Sequence, residues 1–400
     1  MSSKVPLDVK SAESILMEFL SVEGVTGQEK AIAETVASAL KRAGVPAGAI
    51  KYDKANKKIP LPTQTGNLIV TLPGTRKGDR LLFSSHLDTV NLCAGAKPVK
   101  KGNRIVNGNP SSALGGDARS GCAVIVAMVE TILKNNLPHP PMTLLFTVRE
   151  ESGLHGAREL DPKSLGGATM CFNVDATHAN MLVVGAVGQE NWEVEINGRA
   201  AHAGVAPDSG ISSTLVGSIA LTEAHRGGWF GKVTKGGKTG TSNAGIFGGR
   251  DGKAAGDANN VVTDYVRITG EARSSDAAFA ARIAKAYRDS FRKAQGQVKN
   301  VQGKRAEVTF VSKPAYPPFT LKESSPVVQR ARRAVEALGL KPNVLTSNGG
   351  LDANWLVRHG VPTVTFGSGQ AEIHTVNEYV NLDEYLKGCR VAVLLATKQS

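Results

Sequence analysis

Five side chains of metal-ligand type sit at the ends of apolar, strand-like runs. They are His86 in the stretch Leu81–Asp88, Asp117 after Gly115-Gly116, Glu151 after Thr147-Val148-Arg149-Glu150, Asp175 after Cys171-Phe172-Asn173-Val174, and His374 in Ile373-His374-Thr375. Two imidazoles and three carboxylates suit a pair of zinc-like ions that share a carboxylate and leave coordination positions open to water. Open α/β sheets place their ligand sites at such strand ends, so the set implies a hydrolase.

The neighbours of these residues sharpen the chemistry. His86 and Asp88 lie two apart at a strand end, so both side chains leave on one face. The imidazole can bind a metal while the carboxylate takes its other N–H and fixes the tautomer. Glu150 and Glu151 are adjacent carboxylates that repel unless a cation or a proton separates them. One binding a metal while the other handles protons resolves that conflict; a solvated acidic turn is the plain alternative. Asp117 precedes a helix, where an N-cap role competes with metal binding. Asp175 ends an apolar run and needs a partner if buried. His139, His155, His178, His225 and His359 read as structural.

The elements that must position these groups alternate between strand and helix. Thr26-Gly27-Gln28-Glu29 reads as a capping box opening a helix with Ile32, Val36 and Leu40 on one face and Gly44 as its stop. Strands are expected at 67–72, 81–85, 143–148, 169–174 and 181–184, with a helix at 120–134. This pattern predicts an α/β fold, a mainly parallel sheet with helices on both faces. From about residue 188 the character changes. Trp192, Val194 and Ile196 alternate with Glu193, Glu195 and Asn197, as in a strand with one wet face. Strands at 261–272 and 306–311 and helices at 212–225 and 276–294 complete a small inserted α+β domain. Lys313–Pro318 reads as the hinge back, and helix and strand signals resume at 326–338, 363–366 and 382–397. The expected organisation is residues 1–187 and 314–400 as the two parts of a catalytic domain, with 188–313 inserted.

Composition excludes several classes. With 41% hydrophobic and 21% charged residues the chain is globular. No apolar run reaches membrane-spanning length and the first residues lack a signal-peptide core, so no membrane is expected. Four scattered cysteines without a Cys-x-x-Cys pair fit a reduced, cytoplasmic protein. The net charge of +13 is spread along the chain with no basic block, which speaks for a charged surface and against nucleic acid.

In order along the chain, Ser85-His86-Leu87-Asp88-Thr89-Val90, Gly115-Gly116-Asp117, Glu150-Glu151-Ser152-Gly153, Val174-Asp175 and Ile373–Glu378 resemble the dinuclear zinc exopeptidase family. That family includes peptidase T, glutamate carboxypeptidase, succinyl-diaminopimelate desuccinylase and aminoacylase. Gly198–Pro207 and Ser347–Asn354 are most similar to the peptidase T-like branch. The resemblance covers almost the whole chain. It implies a zinc-exopeptidase-type fold with an inserted lid and dimerisation domain, working as a homodimer. It implies two divalent ions, zinc with cobalt or manganese as alternatives. Asp117 would bridge them, Glu151 and His374 completing one site and His86 and Asp175 the other. Glu150 would be the general base acting on metal-activated water, and Asp88 the partner orienting His86. His202 would stabilise an oxyanion from the opposite subunit. Asn260, Arg273, Gly349, Gly350 and Asp352 would contact substrate, the arginine by gripping a carboxylate. The implied reaction is hydrolysis of an amide bond in a short peptide, as by an aminopeptidase or tripeptidase. N-acyl amino acid hydrolysis, or deamination of a small acidic amine, is the alternative. Ala118, Ala176-Thr177-His178 and the long Gly248–Gly256 stretch depart from the family pattern and bear on substrate identity.

Overall fold

The computed structural model describes residues 5–256 and 258–398. The chain forms two compact units, residues 1–186 with 320–400, and residues 187–319. In the first, the strands Met142–Thr147, Leu81–His86, Met170–Val174 and Thr363–Phe366 lie side by side in that order, all parallel. Antiparallel neighbours flank them: Leu68–Leu72 on one side and Met181–Ala186 on the other. Every residue of Leu81–His86 and Met142–Thr147 is buried, as strands covered on both faces must be. Helices Val9–Leu20 and Leu382–Thr397 pack on Gly116–Lys134 over one face. Leu160, Leu165, Leu356 and Val361 form the apolar layer on the other. The expected α/β fold is the one found.

Local differences have physical reasons. Helix Lys30–Arg42 forms where expected, but no capping box does. Glu29 makes no cap bond and instead accepts from the amides of Gly27 and Arg149. A buried carboxylate found a tertiary donor in place of a helix N–H. A further small sheet, Pro98–Lys101, Arg104–Asn107, Tyr379–Asn381 and Gln370–Ala371, has strands too short to show in hydropathy.

The second unit is a five-stranded antiparallel sheet in the order Gly231–Lys235, Lys238–Gly248, Tyr265–Ser274, Gly188–Asn197, Glu307–Tyr316. Helices Ser213–Arg226 and Ala277–Gln297 cover one face. Trp192 stacks there on Tyr287 with ring centroids 4.6 Å apart, while Glu193, Glu195 and Asn197 alternate outward as expected. The hairpin of the first two strands is absent from the sequence expectation. Its two-residue turn, Gly236-Gly237, has both φ values positive, 58° and 74°, which suits a tight hairpin. The expected strand at 261–272 starts later, at Tyr265, and ends at Ser274. Lys313–Pro318 is not a free hinge, since the last strand runs through Tyr316 with Pro314 opposite Glu190.

Candidate metal centre

Three adjacent parallel strands aim at one place. Leu81–His86 ends in His86 and lies between Met142–Thr147, which leads to Glu150 and Glu151, and Met170–Val174, which leads to Asp175. Asp117 lies in a kink with non-helical φ/ψ at the start of helix Gly116–Lys134, after Gly115 at φ 83° and Gly116, and is joined to Ala118 by a cis peptide. The helix start lies hard against the strand ends. A Cβ on Gly121 would come within 2.1 Å of the Val174 carbonyl oxygen and 2.4 Å of Ser85 Oγ, so only glycine lets the helix sit there.

The five expected ligand residues meet. Asp117 Oδ1 is 3.2 Å from His86 Nε2, and its Oδ2 is 3.3 Å from His374 Nε2. Asp175 Oδ1 stands 3.9 Å from His86 Nε2, and Glu151 Oε1 3.0 Å from His374 Nε2. The geometry is two groups, His86 with Asp175 and His374 with Glu151, sharing Asp117 through its two oxygens. Ligand atoms of His86, Asp117 and Glu151 all lie within 4.8 Å of one another.

Charge is concentrated and largely buried. Among the described residues the ion-pair partners of Asp117, Glu151 and Asp175 are the two imidazoles, with no lysine or arginine. Burial pushes His86 down, but hydrogen bonds to Asp117 and Asp88 outweigh it and its pKa stands well above the ordinary value. Hydrogen bonds to Asp117 and Glu151 lift His374 to about 10. Burial works to raise Asp117, yet its bonds to His374 and His86 hold it below the usual carboxylate range. Burial and the charge of Asp117 push Asp175 up to about 8. Burial, then the charges of Asp175 and Glu151, raise Glu150 well above its ordinary value. So many acidic groups around two imidazoles fit divalent cations, whose N and O ligands these are.

The surrounding shell differs in detail from expectation. His86 Nδ1 bonds the backbone carbonyl of Asp88 at 2.9 Å, with the Asp88 carboxylate farther off at 3.6 Å. That carboxylate mainly accepts the amides of Glu150 and Glu151, at 2.9 and 3.1 Å. Arg149, at φ 52°, turns the chain so that these two amides point at it. Asp88 thus builds the Glu150-Glu151 turn as well as abutting His86. Three buried groups escaped the sequence reading. Glu29 holds the Arg149 amide, Glu378 accepts the amides of Gly115 and Asp117, and Gln370 donates to Asp117 and Asp175. Glu378 showed only its place four residues after His374, and Gln370 showed no signal.

The other expected residues are placed as follows. Gly349 and Gly350 precede helix Asp352–Arg358, with the Gly349 amide on Ser347 Oγ at 3.0 Å. Asp352 is buried, accepts from the Thr147 hydroxyl, and is pushed up to about 6 by burial. In the inserted unit His202 is exposed, and its Nδ1 accepts the amides of Gly204 and Val205, both at 3.1 Å. A structural task for this histidine was not foreseen. Asn260 is exposed, its carbonyl accepting from Ala203. Arg273 is paired through two bonds to Glu271, at 2.8 and 2.9 Å.

Comparison with known proteins gives the family and the fold. Residues 82–398 match the family described as Peptidase family M20/M25/M40. The chain is 34% identical over 331 residues to the uncharacterised protein YqjE of Bacillus subtilis strain 168, covering 82% of this chain and 84% of that one. Among solved structures it resembles the aminopeptidase PepT of Bacillus cereus ATCC 10987, with a TM-score of 0.83, 30% identity and 98% of each chain covered. A tripeptidase of Staphylococcus aureus superposes with a TM-score of 0.87 at 27% identity, again over 98% of each chain.

Proposed function

The chain belongs to peptidase family M20/M25/M40, a hydrolase of peptide bonds, and we propose that it is a dinuclear metal exopeptidase acting on short peptides, as the peptidase T-like branch does. The observation that carries this reading is Asp117, with one oxygen toward His86 and the other toward His374. His86, Asp117 and Asp175 would hold one ion, and His374, Asp117 and Glu151 the other. Zinc suits this mixture of imidazole and carboxylate, with cobalt or manganese as substitutes.

Two such ions, when bound, supply Lewis acidity that polarises the scissile carbonyl and eases loss of a proton from water. The chain's own groups do the rest. Glu150 stands beside the ligands without being one, with its amide held by Asp88, so its carboxylate is free to act as a base. It takes the proton of the attacking water and passes it to the leaving amine. Asp88 fixes the backbone of Glu150 and Glu151 by accepting both their amides. His202 is suited to donate a hydrogen bond to the developing oxyanion. Its Nδ1 is occupied as an acceptor, so the proton resides on Nε2. In this reading the protein is a homodimer joined through residues 187–319, and His202 serves the partner's site. Arg273 would grip a substrate carboxylate, exchanging Glu271 for it. Four free, buried cysteines fit a reducing, cytoplasmic setting. Among the described residues no helix is long and apolar enough to cross a membrane.

The test is a panel of di- and tripeptides beside N-acyl amino acids, assayed for released amine with zinc-, cobalt- and manganese-loaded protein. Turnover of tripeptides, lost on verified removal of metal and restored by its return, is expected. Turnover that persists at zero metal content, or cleavage of acyl amino acids alone, would overturn the reading.

A further inference from the structure

Gln370 is buried at 2% exposure and opens a short strand whose register, Gln370 opposite Val380, fixes its backbone. Its side-chain Nε2 lies 3.1 Å from Asp117 Oδ1 and 3.1 Å from Asp175 Oδ1. An amide nitrogen can only donate, and each carboxylate oxygen offers it a lone pair, so the amide presents its NH2 to them, one hydrogen for each. The other end of the amide agrees. Its Oε1 faces the hydroxyls of Ser368, at 3.2 Å, and Ser120, at 3.4 Å. Ser120 donates to the Gly116 carbonyl at 2.6 Å, which leaves the Ser368 proton for the hydroxyl–amide cluster. The orientation of the carboxamide is thus set from both sides.

We propose that Gln370 is a positioning residue of the metal centre, whose carboxamide ties the shared carboxylate of Asp117 to the carboxylate of Asp175. The inference rests on the dinuclear reading of the site and adds to it a residue that is not a ligand. Two buried carboxylates that must both be ionised to hold one ion repel each other, and their repulsion opposes the geometry the ion requires. A neutral donor of two hydrogens relieves that repulsion without adding charge. A lysine or arginine in its place would compete with the ion for the same oxygens, and a glutamate would add a third negative charge. Gln370 meets the need with the least interference. Because its partners are Asp117 and Asp175, its effect falls first on the ion held with His86 and only through Asp117 on the ion held with His374.

The deciding experiment is zinc affinity of the purified full chain by competition with a chromophoric chelator, together with thermal unfolding of the metal-free protein. Gln370→Met keeps the volume and removes both donors. It is expected to weaken one of two ions per chain by on the order of tenfold to a hundredfold, the range for groups that orient metal ligands. The other ion should weaken less. Two ions bound with parental affinity would overturn the inference. So would an equal weakening of both ions that tracks a fall in metal-free melting temperature, since that marks a general loosening. If the methionine variant fails to fold, Gln370→Asn decides: it keeps an amide but withdraws it by one methylene, and parental affinity there would also overturn the inference. A parent chain that binds no pair of ions would instead sink the dinuclear reading itself.

Discussion

Glu378 accepts the backbone amide of Asp117 at 3.0 Å, a contact closed across 261 residues of sequence. Its second oxygen accepts the Gly115 amide at 2.8 Å, so one carboxylate holds both sides of the turn that presents Asp117. Burial raises its pKa to about 7 against those two bonds. Glu378→Ala strands two buried N–H groups, at about 1–3 kcal/mol each. Denaturant unfolding should show that loss, and metal content after dialysis should fall with it. Glu378→Gln keeps one acceptor and should lose less on both measures.

Gly121→Ala tests the close approach of helix and strands. Its Cβ would meet the Val174 carbonyl oxygen, which is backbone and cannot swing aside. Overpacking of this kind costs about 1–3 kcal/mol. The helix start should also shift, carrying Asp117 with it. Reduced melting temperature together with weaker zinc binding is the expected pair of results; a stable variant that binds zinc normally would show that the helix has room.

The adjacent glutamates should separate by function. Glu150→Gln is expected to retain metal and lose activity by about a hundredfold or more, the usual cost of removing a general base. Asp117→Asn is expected to lose metal. Metal analysis beside tripeptide turnover reads both. If Glu150→Gln strips metal while the reloaded protein works normally, the roles of Glu150 and Glu151 are reversed.

These roles mark how far the amino-acid sequence could be read. The strands ending at His86, Thr147 and Val174 were legible because mainly apolar runs lead into polar, ligand-type residues. The Gly231–Gly248 hairpin was not, because its strands are rich in lysine, threonine and glycine and mostly exposed, so they carry no hydrophobic period. Only Gly236-Gly237 could have announced it. Glu29 satisfied a local capping pattern and was misread, since it accepts from the Gly27 amide and from the Arg149 amide 120 residues away rather than from the helix start. Gln370 was invisible for the same reason, and Glu378 showed only as the last residue of the Ile373–Glu378 stretch, with no role attached. A side chain that acts by holding another has no type or spacing of its own to betray it.

His202 can be tested in trans. His202→Ala should keep its metal and lose rate, one missing oxyanion donor costing about 3 kcal/mol of transition-state stabilisation. Mixing inactive His202→Ala with inactive Glu150→Gln subunits should restore part of the activity, because hybrid dimers would contain one site with both groups intact. Absence of recovery after proven subunit exchange would place the imidazole in its own chain's site, or reduce it to its contacts with Gly204 and Val205.

Glu151 and His374 meet at 3.0 Å although 223 residues separate them, with the unit 187–319 in between. On a ribosome, the nascent chain exposes His86, Asp117, Glu151 and Asp175 well before His374 exists. At roughly 5–20 residues per second the interval is on the order of ten to forty seconds. Through that time the cleft is acid-rich and lacks the imidazole that closes its second half. In the proposed assignment the ion held with His374 and Glu151 can therefore load only after His374 has emerged, and a product truncated before His374 would lack that half of the site.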